Sequence, residues 1–281
     1  MTDKENNMLS TETIKELTDI SRRMRIDILR MIDAAGSGHP GPTFSIVEIL
    51  AFLYFQKMRI DPDNPDKPSR DRFVLSKGHA SPALYAALYE KGYFSKEDML
   101  SLRKINSPLQ GHPSAKMSGV DATTGSLGIG LSQALGMALG AKIQKSNTKI
   151  FALIGDGECD EGQIWEAALF ASHNALDNLY VFIDSNKDQY EGHVCDVINL
   201  EPLDKKWISF GWHTMNIDGH SFSEIDKFFK ECDEYPYFPH IAVAHTHKGY
   251  GVSFMDNNPT YHARALNADE MTKALKELNY S

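Results

Sequence analysis

Cysteine is scarce in this sequence: Cys159, Cys195 and Cys232 are the only three among 281 residues. No two of them stand in a CxxC spacing, and an odd number cannot all pair. That argues against a secreted disulfide framework and against a structural zinc site, and leaves free thiols in a reducing compartment as the expectation. Long apolar runs are missing too. The longest, residues 46–55, is interrupted by Glu48 and is too short to cross a bilayer. The opening stretch MTDKENNMLSTETIKELTDI has neither the basic region nor the apolar core of a signal peptide, so a cytoplasmic location is expected. Positive charge is in deficit: 29 Lys and Arg against 38 Asp and Glu, a net charge of -9, argue against nucleic acid and anionic membrane as partners. Also absent are internal repeats, low-complexity linkers and a GxGxxG turn after a strand, which removes a plain dinucleotide-binding module.

What remains is an ordinary globular composition, 42% hydrophobic and 24% charged, in a chain long enough to bury a large core. One domain over residues 1–281 is expected, with a polar tail over about the first ten residues. Leu17, Ile20, Met24, Ile28 and Met31 recur at three- and four-residue steps, which predicts a helix over 14–35. Two prolines and three glycines between Gly36 and Pro42 predict a loop, and a second helix is expected over 45–57. A strand over 72–76 and a helix over 81–91 precede a Gly-, Ser- and Pro-rich stretch, 101–127, whose length suggests function.

Beyond it the pattern alternates. Helices over 129–144, 163–175 and 222–232 are interleaved with short apolar runs at 149–154, 179–184, 212–217 and 240–245. Such runs are strands covered on both faces, so the expected fold class is α/β, a mostly parallel central sheet with helices on both sides. Ligands in such sheets sit beyond the carboxyl ends of the strands. Asn267 and Glu270 predict a capping box opening a last helix, 267–280.

The chemistry starts at Gly155-Asp156-Gly157-Glu158, directly after the 149–154 strand. The two glycines allow close approach of a ligand, and the helix start that follows suits an anion. Asp156 is itself an anion, and two anions tolerate each other there with a hard divalent cation between them. Asn186 stands thirty residues after Asp156, at the end of the next strand, and can supply a second oxygen. Taken alone GDGE could equally be a capped strand-to-helix turn; the paired asparagine makes it more specific.

GDGECDEG followed by FIDSNKDQ resembles the thiamine-diphosphate motif. SGHPGPTFSIVEIL, RDRFVLSKGHASPALYAAL, LQGHPSAKMSGVDATTGSLGIGLSQALGMALGAK and HTHKGYGVSFMDNNPTYH resemble, in the same order, the amino-terminal half of the transketolase family. The resemblance covers residues 14–266 and implies the thiamine-diphosphate-binding fold. It implies that Asp156, Asn186 and the backbone oxygen of Asp188 hold Mg²⁺, with Ca²⁺ the alternative for the same donors. It implies that Gly125, Ser126, Leu127, Gly155, Gly157, Glu158, His79 and His262 lie against thiamine diphosphate. His39, His79, His112 and His262 match positions lining the substrate channel, where imidazoles can move protons near neutral pH. Glu161 and Glu166 match glutamates of an acid network at a subunit interface. Ser185 stands where the family usually has Asn or Asp, and Ser126 where long transketolases often have Pro, as in shorter, split ones. His173, His193, His213 and His240 read as structural or exposed; His245 and His220 are less clear.

The implied reaction is transfer of a two-carbon ketol unit between sugars or sugar phosphates. The implied partner is a second subunit carrying the pyrimidine-binding and carboxyl-terminal domains, two copies of each chain assembling. Close alternatives are the alpha subunit of a 2-oxo acid dehydrogenase first component and deoxyxylulose-phosphate synthase. The histidine loops favour ketol transfer over the first, and the second is normally one long chain. A non-catalytic regulatory subunit would be expected to have lost metal ligands or histidines that are all present here.

Overall fold

A computed structural model describes residues 9–279. Five parallel strands form one sheet in the order β1-β2-β3-β5-β4: β1 (Arg72–Leu75), β2 (Ile150–Gly155), β3 (Leu179–Ser185), β4 (His213–Asp218) and β5 (His240–His245). Alternate residues of each strand feed opposite layers, as a period of two requires. Phe73, Phe151, Leu153, Phe182 and Ala242 face one layer, while Val74, Ala152, Ile154, Val181 and Val243 face the other.

The first layer is built by α1 (Thr11–Ala35), α2 (Pro40–Phe44), α3 (Val47–Phe52), α4 (Ser81–Glu90) and α5 (Lys96–Met99). The second holds α6 (Ile129–Ile143), α7 (Gly162–His173) and α9 (Leu203–Ser209), the short α8 (Val194–Val197) lying between β3 and α9 in the chain. The chain then returns to the first layer through α10 (Phe222–Cys232) and α11 (Ala268–Glu277). The α/β class, the parallel sheet and the helices on both faces are as expected.

Several local expectations are corrected. The Gly- and Pro-rich segment over 36–42 contains the start of α2, because Pro40 at the first helical position needs no N–H partner and already has a helical φ. The helix expected over 45–57 is α3 followed by a π turn, Leu53–Lys57. Helix α1 begins earlier than expected, at Thr11, where Ser10 caps it through the Thr13 N–H. The Asn267/Glu270 capping box is formed in both directions, but α11 ends at Glu277, and the expected helix reaches outside the described residues at Tyr280. The expected polar tail lies mostly outside them too.

Candidate active site

All five strands point their carboxyl ends to one rim, and the GDGE turn leaves β2 there. Its shape depends on Glu158, which is buried. Glu158 Oε1 accepts from the Ser76 hydroxyl and from Gly128 N at 2.7 Å, and Oε2 accepts from Gly155 N at 3.0 Å. Gly128 reaches this carboxylate with φ +84, left-handed backbone that an L side chain adopts only with strain, and opens α6. Glu158 therefore ties β1, β2 and α6 together. It lines the cavity as expected of a cofactor neighbour, but its oxygens serve the turn.

Asp156 projects from this turn and is 5% exposed. Its oxygens accept from Gly157 N at 2.8 Å and Lys187 N at 2.7 Å. Among the described residues it forms no ion pair. Burial, and then the nearby charge of Asp184, push its carboxyl up to about 7.

Asp184, at the end of β3, has the opposite fate. Burial alone would raise it, but the Lys77 ammonium outweighs that and, with the Lys77, Thr246 and Ser45 hydrogen bonds, holds it below the carboxylate range. Asn186 Nδ2 donates to Asp184 Oδ2 at 2.8 Å, and Asn186 Oδ1 accepts from Asp188 N at 3.1 Å. The Asp188 carbonyl accepts from Lys248 Nζ at 3.2 Å. Asp156, Asn186 and Asp188, which can offer a carboxylate oxygen, an amide oxygen and a backbone carbonyl, all line one cavity. This all-oxygen donor set suits a hard divalent ion, whose charge would relieve the proximity of Asp156 and Asp184.

Three of the expected histidines form a triangle beside it. Ring centroids are 5.4 Å apart for His39 and His79, 5.9 Å for His79 and His262, and 6.0 Å for His39 and His262. All three are neutral at physiological pH. Burial, then Arg103, lowers His39 to about 4; burial, then Lys77, lowers His79 to about 2; burial, then Lys248, lowers His262 to about 3. His39 Nδ1 is buried with no hydrogen-bond partner. His262 Nδ1 faces Lys248 Nζ at 3.1 Å; the ammonium donates, so the imidazole proton belongs on Nε2.

The cavity has a volume of about 320 Å³ and is lined by His39, His79, His262, Gly125, Leu127, Gly155, Asp156, Gly157, Glu158, Asn186 and Asp188 together. A Cβ at Gly157 would come within 2.6 Å of Gln189 Cγ, so the second glycine of the motif is needed for the loop opposite as well as for a ligand. Ser126 and His112 are exposed and lie outside the lining, although the His112 ring packs near Gly125 at the rim. Glu161 and Glu166 are also outside it, exposed at the start of α7. His245 bonds Asn216 and lines a neighbouring cavity, and His220 bonds Glu48 away from the triangle.

Lys77 and Lys248, both nearly fully buried, were not singled out by sequence reasoning. Single lysines carry no spacing signal. Lys77 sits inside the SKGHA run, and only its place beside His79 could have flagged it.

A family model described as the transketolase thiamine diphosphate binding domain matches residues 15–281. The chain belongs to the transketolase family. It is 45% identical over 251 residues to the 6-deoxy-6-sulfo-D-fructose transketolase subunit SqwG of Clostridium sp. (strain MSTE9), covering 89% of this chain and 91% of that protein. It is 37% identical over 271 residues to one subunit of the apulose-4-phosphate transketolase of Phocaeicola vulgatus, covering 96% of this chain and 95% of that protein. Human transketolase is 38% identical over 268 residues, but the match spans 95% of this chain and only 42% of the human protein. Among solved structures, the transketolase of Campylobacter jejuni superposes with a TM-score of 0.90 at 31% identity over 95% of this chain and 43% of that one. The chain is thus matched by transketolase subunits along nearly their whole length and by long transketolases along less than half of theirs.

Proposed function

We propose that this chain is the diphosphate-binding subunit of a two-component transketolase, a single domain whose site is completed by a second polypeptide. The observation that carries this is the cavity at the strand ends, which Asp156, Asn186 and Asp188, able to offer three oxygens, line together with His39, His79 and His262. The three oxygens would hold Mg²⁺ against the diphosphate of thiamine diphosphate. Gly125, Leu127 and Gly157 bound the space the cofactor would occupy. Once bound, thiamine diphosphate supplies the carbon nucleophile for moving a two-carbon ketol unit.

The protein's own share is positioning and proton handling. His262, with its proton on Nε2, can donate to a sugar oxygen. His39, whose Nδ1 is buried without a hydrogen-bond partner, and His79 complete the triangle beside it. His112 and Ser126 would contact ligand from the rim. Ketol donors and acceptors would be sugars or sugar phosphates; the names of the two short relatives extend the range to a sulfonated sugar.

The partner would cover the exposed apolar residues of α6 and α7, which pack together: Leu127 and Ile129 at the start of α6, and Leu169 and Phe170 on α7. Exposed apolar side chains of this size suit a permanent interface. Glu161 and Glu166, exposed on the same helix start, would be buried there, and two copies of each subunit would assemble in the cytoplasm. Among the described residues no helix is long and apolar enough to cross a membrane.

The test is ketol transfer by the chain with thiamine diphosphate and Mg²⁺, with and without its candidate partner. Donors would include common ketose phosphates, apulose 4-phosphate and 6-deoxy-6-sulfo-D-fructose. Transfer that requires both chains and disappears in Asp156→Ala is expected. Full transfer by the single chain, or 2-oxo acid decarboxylation instead, would overturn the reading.

A further inference from the structure

The opposite end of the sheet carries a second cluster. His213 and His240 are the first cross-strand pair of the β4–β5 ladder, and their side chains leave the same sheet face. Cys232, the last residue of α10, closes over them. His213 Nδ1 lies 3.3 Å from His240 Nδ1 and 3.9 Å from Cys232 Sγ. All three potential ligand atoms fall within 4.8 Å of one another.

Those spacings are close to those of a tetrahedral zinc site. Zn–N bonds of about 2.0–2.1 Å place two nitrogen ligands about 3.3–3.4 Å apart, and a Zn–S bond of about 2.3 Å places sulfur about 3.6 Å from nitrogen. We propose that His213, Cys232 and His240 form a binding site for one Zn²⁺ or a similar borderline-soft divalent ion, separate from the oxygen site at the other end of the strands.

The surroundings prepare these ligands. His240 and Cys232 are buried, 2% and 3% exposed, while His213 is partly open and leaves a fourth position accessible to water. Tyr235 stacks on His213 at 4.2 Å and Tyr180 on His240 at 5.0 Å, so both rings are held in place. Burial lowers both histidines, which are therefore neutral and able to ligate. Burial, then Asp233, raises the Cys232 thiol; its proton leaves to solvent as the ion enters. The ion would clip the end of α10 to the two outer strands. Positions 213, 232 and 240 match no zinc spacing along the chain; strand register pairs the two histidines, and the end of α10 brings Cys232 over them.

The test is titration of the full chain with Co²⁺ in excess Mg²⁺, which keeps the oxygen site filled. One equivalent should produce thiolate-to-cobalt charge transfer and the visible bands of tetrahedral cobalt, both displaced by Zn²⁺. The histidine triangle at the other rim contains no thiol and cannot produce the charge transfer. Cys232→Ser should abolish it, while Cys195→Ser should leave it intact. His213→Asn, at a partly exposed position that tolerates a polar side chain, should weaken Zn²⁺ binding by more than the roughly 10–100-fold typical of losing an outer-sphere partner. Zinc should also raise the Tm of the wild-type chain and not that of His213→Asn. Absence of charge transfer, its persistence in Cys232→Ser, or unchanged zinc affinity in His213→Asn would overturn the proposal and leave a histidine pair sharing one proton.

Discussion

Asn186 Nδ2 donates to Asp184 Oδ2 across 2.8 Å, which fixes the amide with Oδ1 as its acceptor end, where it takes only the Asp188 N–H. Asp184 is fully buried, and Lys77, Ser45 and Thr246 also donate to it. Under the proposed function it is a positioning residue for the amide that would face the metal. Asp184→Asn should lower metal and thiamine-diphosphate affinity by about 10–100-fold, the usual cost of losing an outer-sphere partner. It should also destabilise the chain by about 3–5 kcal/mol, because Lys77 is left buried without its counter-charge. Calorimetric binding and urea unfolding separate the two effects; unchanged affinity would remove the positioning role.

Asp156 is the reverse case: a buried carboxylate next to Asp184 that no cation pairs within the described chain. Asp156→Asn should abolish metal-dependent cofactor binding. Without cofactor or metal, the same substitution relieves like-charge repulsion but turns Nδ2 toward one of the two N–H groups that bond the carboxylate, so the two effects oppose and the Tm should move little. A fall of several degrees in the ligand-free Tm would show that Asp156 supports the fold rather than the ligand.

The Lys248–His262 contact, 3.1 Å, makes a separate prediction. Burial and the Lys248 ammonium keep His262 near pKa 3, so lowering the pH toward 5 does not charge it. Removing the ammonium in Lys248→Met raises that pKa, and protonation then begins at higher pH. The acid limb of kcat/KM, measured with the partner subunit present, should therefore move to higher pH. An acid limb that stays in place would mean that His262 does not titrate in the reaction.

How far the sequence could be read depended on whether a signal is local. The β2 and β3 runs and α1 were legible because burial on both faces, or on one helical face, imposes a period that neighbouring residues carry themselves. The meeting of Asp156 and Asn186 at one cavity was legible for a similar reason: they stand at the ends of adjacent strands, one crossover apart. Helix α2 was hidden because Pro40 and Pro42 read as breakers, whereas a proline at a helix start is an initiator. The short helices α8 and α9 were hidden inside a segment with no periodic pattern. Lys77, Lys248 and the His213–Cys232–His240 cluster are products of tertiary packing, and no spacing in the chain announces them.

Glu48 sets an acid limit on stability. Burial would raise its carboxyl, but Arg25, at 2.7 Å, and the His220 ring hold it near 2, against 4.5 for an ordinary glutamate. A depressed carboxyl contributes fully above its unfolded pKa and loses that contribution as the pH falls. Stability should therefore drop between about pH 4.5 and pH 2 through this group. Glu48→Gln should cost about 3–5 kcal/mol at neutral pH by leaving Arg25 unpaired. It should also flatten the slope in that acid window, and an unchanged slope in urea melts across it would assign acid sensitivity elsewhere.

The exposed apolar residues of α7 offer the most direct check on assembly. Leu169 is 60% and Phe170 44% exposed, on a helix that packs against α6. Neither Leu169 nor Phe170 lines the cavity, so substitution there should not touch the ligand-facing groups. Leu169→Asp should leave the isolated chain folded, since the side chain already meets water. It should weaken association with the partner subunit by at least about 2 kcal/mol, roughly thirtyfold in Kd, if an interface core covers it. Ketol transfer should then fall at limiting subunit concentration and recover when the partner is added in excess. Activity lost at every partner concentration would place the residue in the chemistry, and unchanged association would move the interface to another face.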